Sequence, residues 1–168
     1  MFDLLSGATW LARDPRPAGG RLIACFATTA LSTSASAWGD SRALFVGFKG
    51  GDNRASHAHL DLGSFVFDAS GQRWAMDVGP DDYNRAGYFT VNRWTFYRCR
   101  AEGNNCLLLN PGKGPDQSPQ AVAPVTRFGK NDHQSGAVLD LTAAYTSDAK
   151  LRATRHCPHR SQTVADPG

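Results

Sequence analysis

A chain of 168 residues and 18.1 kDa has the size of one domain: it can bury a core of its own and is too short for two. Hydrophobic residues at 41% and charged residues at 20%, with 9 Phe and 4 Trp, exclude a disordered tail, a collagen-like repeat and a coiled coil. The net charge of +3 from 18 basic and 15 acidic residues suits a polyanionic ligand but makes no dense basic stripe, so nucleic acid is not expected as a partner. No run approaches the roughly 18 consecutive apolar residues of a membrane span.

Residues 1–20 close on Arg13-Asp14-Pro15-Arg16-Pro17-Ala18-Gly19-Gly20, which reads as a linker or the remnant of a preceding domain. Arg21, the apolar run Leu22 to Ala27 and then Ala35-Ser36-Ala37 imitate a secretory signal cleaved before Trp38. Asp3, Asp14 and two prolines precede this run, and Thr28 and Thr29 cut it short, which favours a strand followed by a loop. Strand-like runs follow at Ala43–Phe48, Ser64–Asp68, Arg73–Val78, Cys106–Asn110, Val122–Phe128 and Ala137–Leu141, punctuated by Gly, Pro and Asn as in a sandwich or barrel. Residues 155–168 are polar without strand periodicity and read as a disordered tail, in which His156 and His159 flank Cys157 without a scaffold. The four cysteines form no C-x-x-C pair, and the sequence leaves their pairing open.

Ser70-Gly71 is a tight-turn dipeptide. With these two as the loop, Asp68 faces Arg73, Phe67 faces Trp74, Phe65 faces Met76, and Ser64 faces Asp77. One face of the hairpin then carries the apolar cluster Phe65/Phe67/Trp74/Met76, and Trp74→Ala is expected to cost roughly 3–5 kcal/mol. The same register returns Asp77 beside Ser56-His57-Ala58-His59-Leu60-Asp61.

His57 and His59, two residues apart in an extended segment, would project to the same side. His59 with Asp77 gives two ligands suited to zinc, one short of a usual protein site, and the third is open among Asp61, a downstream His or Asn, and the other histidine. Tyr83, Tyr88 and Tyr97 cluster with Asp81, Asp82, Asn84, Arg93 and Arg98, a composition suited to stacking on sugars and hydrogen bonding to them.

The ordered set Phe45-Val46-Gly47-Phe48-Lys49-Gly50-Gly51-Asp52-Asn53, His57-Ala58-His59-Leu60-Asp61-Leu62-Gly63-Ser64-Phe65, Trp74-Ala75-Met76-Asp77-Val78-Gly79 and Arg100-Ala101-Glu102-Gly103-Asn104-Asn105-Cys106-Leu107 resembles the C-terminal domain of the heparinase II/III-like polysaccharide lyases. The likeness runs from about Arg21 to Lys150, and the domain is placed at 21–154.

The resemblance implies an all-β fold, an antiparallel β-sandwich. It also implies β-elimination on a uronate-containing polysaccharide, of heparin, heparan-sulfate or alginate type, in a cleft shared with an N-terminal α/α toroid that this sequence does not contain. An acidic polysaccharide and a toroid domain or chain are the implied partners, and a periplasmic, cell-envelope or secreted location is implied with them. His57 carries the family's proton-transfer histidine, Tyr88 is a candidate cleft tyrosine, and Lys49, Asn53, Arg54, Tyr83 and Arg98 are candidate substrate contacts. His59 and Asp77 match two zinc ligands. Asn104 stands where the family's later histidine is expected and offers only an amide oxygen, so weak or no zinc is expected. The alternative is a non-catalytic saccharide-binding sandwich or an inactive truncated remnant.

Overall fold

A computed structural model describes residues 22–26, 31–37, 39–109, 111–112, 115–130, 134–145 and 154–160. The 1–20 linker, Trp38 at the signal-like cleavage point and residues 161–168 of the expected tail lie outside them. The apolar run of the signal-like segment is a strand: β1 (Leu22–Phe26) pairs antiparallel with β2 (Leu31–Ala35). They extend a five-stranded sheet through β3 (Phe45–Lys49) to β5 (Phe65–Ala69) and β6 (Gln72–Ala75), in the order β1-β2-β3-β5-β6. β4 (Gly51–Asp52) pairs with β7 (Val122–Ala123), and β8 (Val125–Lys130), β9 (Gln134–Asp140) and β10 (Thr154–Arg160) form a third antiparallel sheet. The fold is all-β, and among the described residues no helix is long and apolar enough to cross a membrane.

The core lies between the sheets. Phe48 from β3 and Leu62 meet Ala123, Ala137, Leu139, Leu141 and Tyr145 from the opposite side, with Phe65, Leu107, Leu109 and Val125 packed on the margin. A polar side chain sits inside this apolar contact. Gln117, 1% exposed, accepts from the Leu62 amide (3.0 Å) and donates to the Leu62 carbonyl (2.9 Å) and to the Tyr145 hydroxyl (2.9 Å), while that hydroxyl donates to the Leu107 carbonyl. The carboxamide behaves as an extra peptide unit, pairing with both backbone groups of one residue as a neighbouring strand would.

Three expectations need correction. Residues 155–160, expected inside the loose tail, belong with Thr154 to β10, which pairs along the whole of β9, so strand structure continues past 154. Of the strand expected at Cys106–Asn110, whose last residue lies outside the described ones, residues 106–109 are not a strand: Leu107 and Leu109 do point to the core, but their backbone groups are taken up by Tyr145 and by the Asp116 carboxylate (2.7 Å to the Leu109 amide) rather than by a ladder.

The hairpin core fails in an instructive way. Ser70 (φ 53°) and Gly71 (φ 77°) form the expected left-handed turn, and Asp68 pairs with Arg73 at 2.8 and 3.0 Å. A bulge then intervenes, so Phe67 faces Ala75 instead of Trp74. Trp74 and Met76 are turned out, 69% and 60% exposed, and the Trp74 indole donates to the Ala69 carbonyl (3.1 Å). Beyond the bulge the Asn105 amide donates to both the Phe65 and Met76 carbonyls (3.0 Å each) and stands where the ladder would have continued.

Urea denaturation checks both findings. Gln117→Ala leaves two buried backbone groups and a buried hydroxyl without their partner and is expected to lose about 2–4 kcal/mol, whereas Trp74→Ala is expected to lose less than about 1 kcal/mol.

Candidate functional site

Between β4 and β5 the chain makes a long excursion, residues 53–64, held at its far end by Leu60 and Leu62, both 0% exposed, and by the Leu60 amide on the Cys99 carbonyl (2.9 Å). At its near end Asn53, 2% exposed, bonds its amide to Ala121 (3.0 Å) and its side-chain nitrogen to Ser118 (2.9 Å), leaving its buried Oδ1 without a partner. The middle is exposed. His57 adopts φ 61°, a left-handed conformation uncommon outside glycine, so the extended geometry expected for the H-x-H segment is replaced by a turn.

The His57 ring stacks on Tyr83 (centroids 5.6 Å, 20° between planes) and meets the edge of Phe89 (5.6 Å, 89°). It stands at a cleft of about 470 Å³ lined by Asn53, Arg54, Phe89, Arg93 and Trp94, with Pro119 and Gln120 on the wall. The second face of this site is built locally. Gly87 (φ 80°) turns the chain, and Thr90 caps the 3-10 helix Val91–Thr95 by accepting from Asn92 (3.2 Å). That geometry sends Arg93 inward, 7% exposed.

Tyr88, a candidate cleft tyrosine, is buried at 1% exposure under the Arg93 guanidinium, which lies 4.5 Å from its ring centre. Burial pushes its hydroxyl up to about 12, with Cys99 adding to the rise. The tyrosine that reaches His57 is Tyr83, half-buried and tilted against Tyr88 (5.2 Å).

The expected basic contacts are largely engaged within the protein. Lys49 pairs with buried Asp61 (2.5 Å), and Arg54 pairs with Asp52 through two nitrogens (2.7 and 2.9 Å), holding that carboxyl down at about 2. Arg98 donates to the Val78 carbonyl (2.6 Å) and lies 3.7 Å from Asp81. Of the candidate contacts, Asn53, Arg54 and Tyr83 share the His57 neighbourhood; Lys49 and Arg98 do not line the cleft. Phe89, Trp94 and Gln120 line it and were not singled out by sequence, because nothing in their spacing ties them to residue 57.

His59 is half-buried, and burial pushes its imidazole below the ordinary 6.5. Asp61 pulls it up, Arg93 pushes it further down and Asp77 pulls it up, so the hairpin does return Asp77 to the field of His59. Asp77 itself accepts from the Gly79 amide (2.6 Å). Asn104 spends its amide nitrogen on the Arg100 (2.8 Å) and Arg98 (3.4 Å) carbonyls, and its Oδ1 is buried without a partner. Its neighbour Gly103 admits no side chain, since a Cβ there would lie 2.2 Å from the Tyr97 carbonyl. Among the described residues no group of three His, Cys, Asp or Glu side chains converges on one point. One imidazole, one carboxylate and one neutral amide oxygen do not match the donor set that holds zinc tightly.

The shielding of Tyr88 has a direct signature. In an alkaline titration of tyrosine absorbance, one phenol is expected to ionise near pH 12, and Tyr88→Phe removes that component. The unfolded chain releases this proton near 10.0 while the folded chain retains it to about 12, so stability falls as pH rises through that window and falls less in Tyr88→Phe.

A search of curated proteins finds no match. The family model described as heparinase II/III-like, C-terminal, matches residues 31–157, which takes in β2 through most of β10 and every side chain of the site above. With more than half of its length matched, the chain belongs to the heparinase II/III-like family, as a C-terminal domain of that family.

Proposed function

We propose that the chain supplies one wall of a polysaccharide lyase active site and that His57 handles the proton there. The observation that carries this reading is the exposed His57 ring, held in a left-handed turn between Tyr83 and Phe89 at the mouth of a cleft whose walls carry Arg54, Arg93 and Trp94. Family membership supports an acidic polysaccharide as substrate and an N-terminal toroid as the opposite wall.

The reaction removes the proton at C5 of a uronate, breaks the C4–O bond and forms the C4=C5 double bond. The base takes the C5 proton, and an acid returns a proton to the departing oxygen. A neutral imidazole suits the first transfer. The open aromatic faces of Phe89 and Trp94 suit the apolar faces of sugar rings, and the cationic lining suits uronate carboxylates.

Elimination requires base, acid and carboxylate neutraliser around one sugar, and one wall cannot assemble them. The isolated chain should therefore be nearly inactive. Paired with a toroid domain of its family, it should yield unsaturated uronate products seen by ultraviolet absorbance, and His57→Ala should lower turnover by about 10²-fold or more. Robust elimination by the isolated chain, or indifference of the pair to His57→Ala, overturns the reading. Because the polymer is too large to cross a membrane intact, the reading carries with it a periplasmic, cell-envelope or secreted location.

Zinc is not assigned a step. The mismatch of Asn104 with His59 and Asp77 supports weak binding at most, so elemental analysis of untagged, dialysed protein should find zinc well below one per chain. Stoichiometric zinc after dialysis would show that this donor set suffices.

A further inference from the structure

Resting on the reading of His57 as the proton-handling group, we propose that Arg93 is the positioning residue that sets the direction of the His57 ring. Its guanidinium is buried, and no carboxylate among the described residues pairs with it. The donors go to backbone carbonyls instead. Nη2 donates to His57 (3.1 Å) and Ala58 (2.9 Å), Nε to Ala58 (3.1 Å) and Nη1 to Tyr88 (3.3 Å).

Two consecutive carbonyls, those of His57 and Ala58, lie on the two peptide planes that flank Ala58. Fixing both fixes the backbone on which His57 and His59 stand. A left-handed conformation at a non-glycine residue is strained and persists only where the surroundings hold it, and the Arg93 fork bonds directly to the carbonyl of the residue with φ 61°. The same guanidinium covers the Tyr88 ring, and that ring contacts Tyr83 (5.2 Å) and Phe89 (5.1 Å), the two rings that flank His57. Arg93 therefore ties the backbone of His57 to the aromatic pair that holds its side chain. Only a planar fork spans these acceptors; a lysine ammonium keeps the charge but radiates its donors from one atom.

The test is nuclear magnetic resonance on the full chain. Ring currents from Tyr83 and Phe89 displace the His57 ring signals. In Arg93→Lys, with the sheet amide pattern retained, these signals should move toward those of a free imidazole, and affinity for an unsulfated uronate tetrasaccharide should fall about tenfold, the scale of one misplaced hydrogen-bonding partner. Unchanged His57 signals overturn the proposal, as does a displaced His57 with undiminished tetrasaccharide affinity. Should Arg93→Lys fail to fold, the unmutated chain decides. Its Arg93 Nε–H should exchange slowly and correlate with the Ala58 carbonyl, and exchange as fast as that of exposed Arg42 overturns the clamp. A tetrasaccharide that does not bind the unmutated chain defeats the lyase reading instead, while the His57 and Arg93 signals still judge the clamp.

Discussion

The carboxamide of Gln117 is the contact on which the rest of the arrangement depends. Leu62 lies in a turn whose backbone groups would otherwise be buried in an apolar core without partners, at a cost comparable to the interactions that hold a small domain together. By pairing with both groups of Leu62 and passing a bond on to Tyr145, Gln117 lets an irregular segment enter the core as though it were a strand. The return from this segment into β5 is then fixed, with Gly63 bonded to Lys49 (2.7 Å) and Lys49 to Ser64 (2.9 Å). The His57 turn is the exposed crest of a loop whose feet are inside the protein.

Electrostatics at that crest follow from which charges are already engaged. Lys49 and Arg54 have carboxylate partners, and Arg98 lies beside Asp81, so each keeps little field to spare. Arg93 is compensated by carbonyl dipoles and the Tyr88 ring face, with no carboxylate partner among the described residues, and retains its net charge at the edge of the cleft. Of these cations the buried one is thus the least screened, since the low local dielectric around it attenuates its field less than water does that of a surface lysine. Together with burial, it also favours the neutral form of His59.

What the sequence disclosed was local or was carried by one turn. The Ser70-Gly71 loop and the Asp68–Arg73 pair both follow from a two-residue loop and a period of two. The bulge at Trp74 defeated the same logic, because hydrophobicity placed Trp74 inside while the opening of the ladder depends on Asn105, some thirty residues later. Gln117 and Arg93 were equally hidden as structural devices, since each acts on backbone groups far away in the chain and neither leaves a mark in spacing. The burial of Tyr88 belongs to the same class: a tyrosine among polar neighbours reads as a surface residue until the guanidinium above it is in place.

The bulge reaches beyond the packing of one hairpin. β6 is the outer strand of the five-stranded sheet among the described residues, and an outer strand of regular pleat is a template to which a strand from another molecule can add. One extra residue at Trp74 breaks the repeat of donors and acceptors along that border, and the short run Gln72–Ala75 leaves little length for an incoming strand to match. The domain thereby carries its own stop against growing into a fibre, and the exposed indole is the outward sign of it.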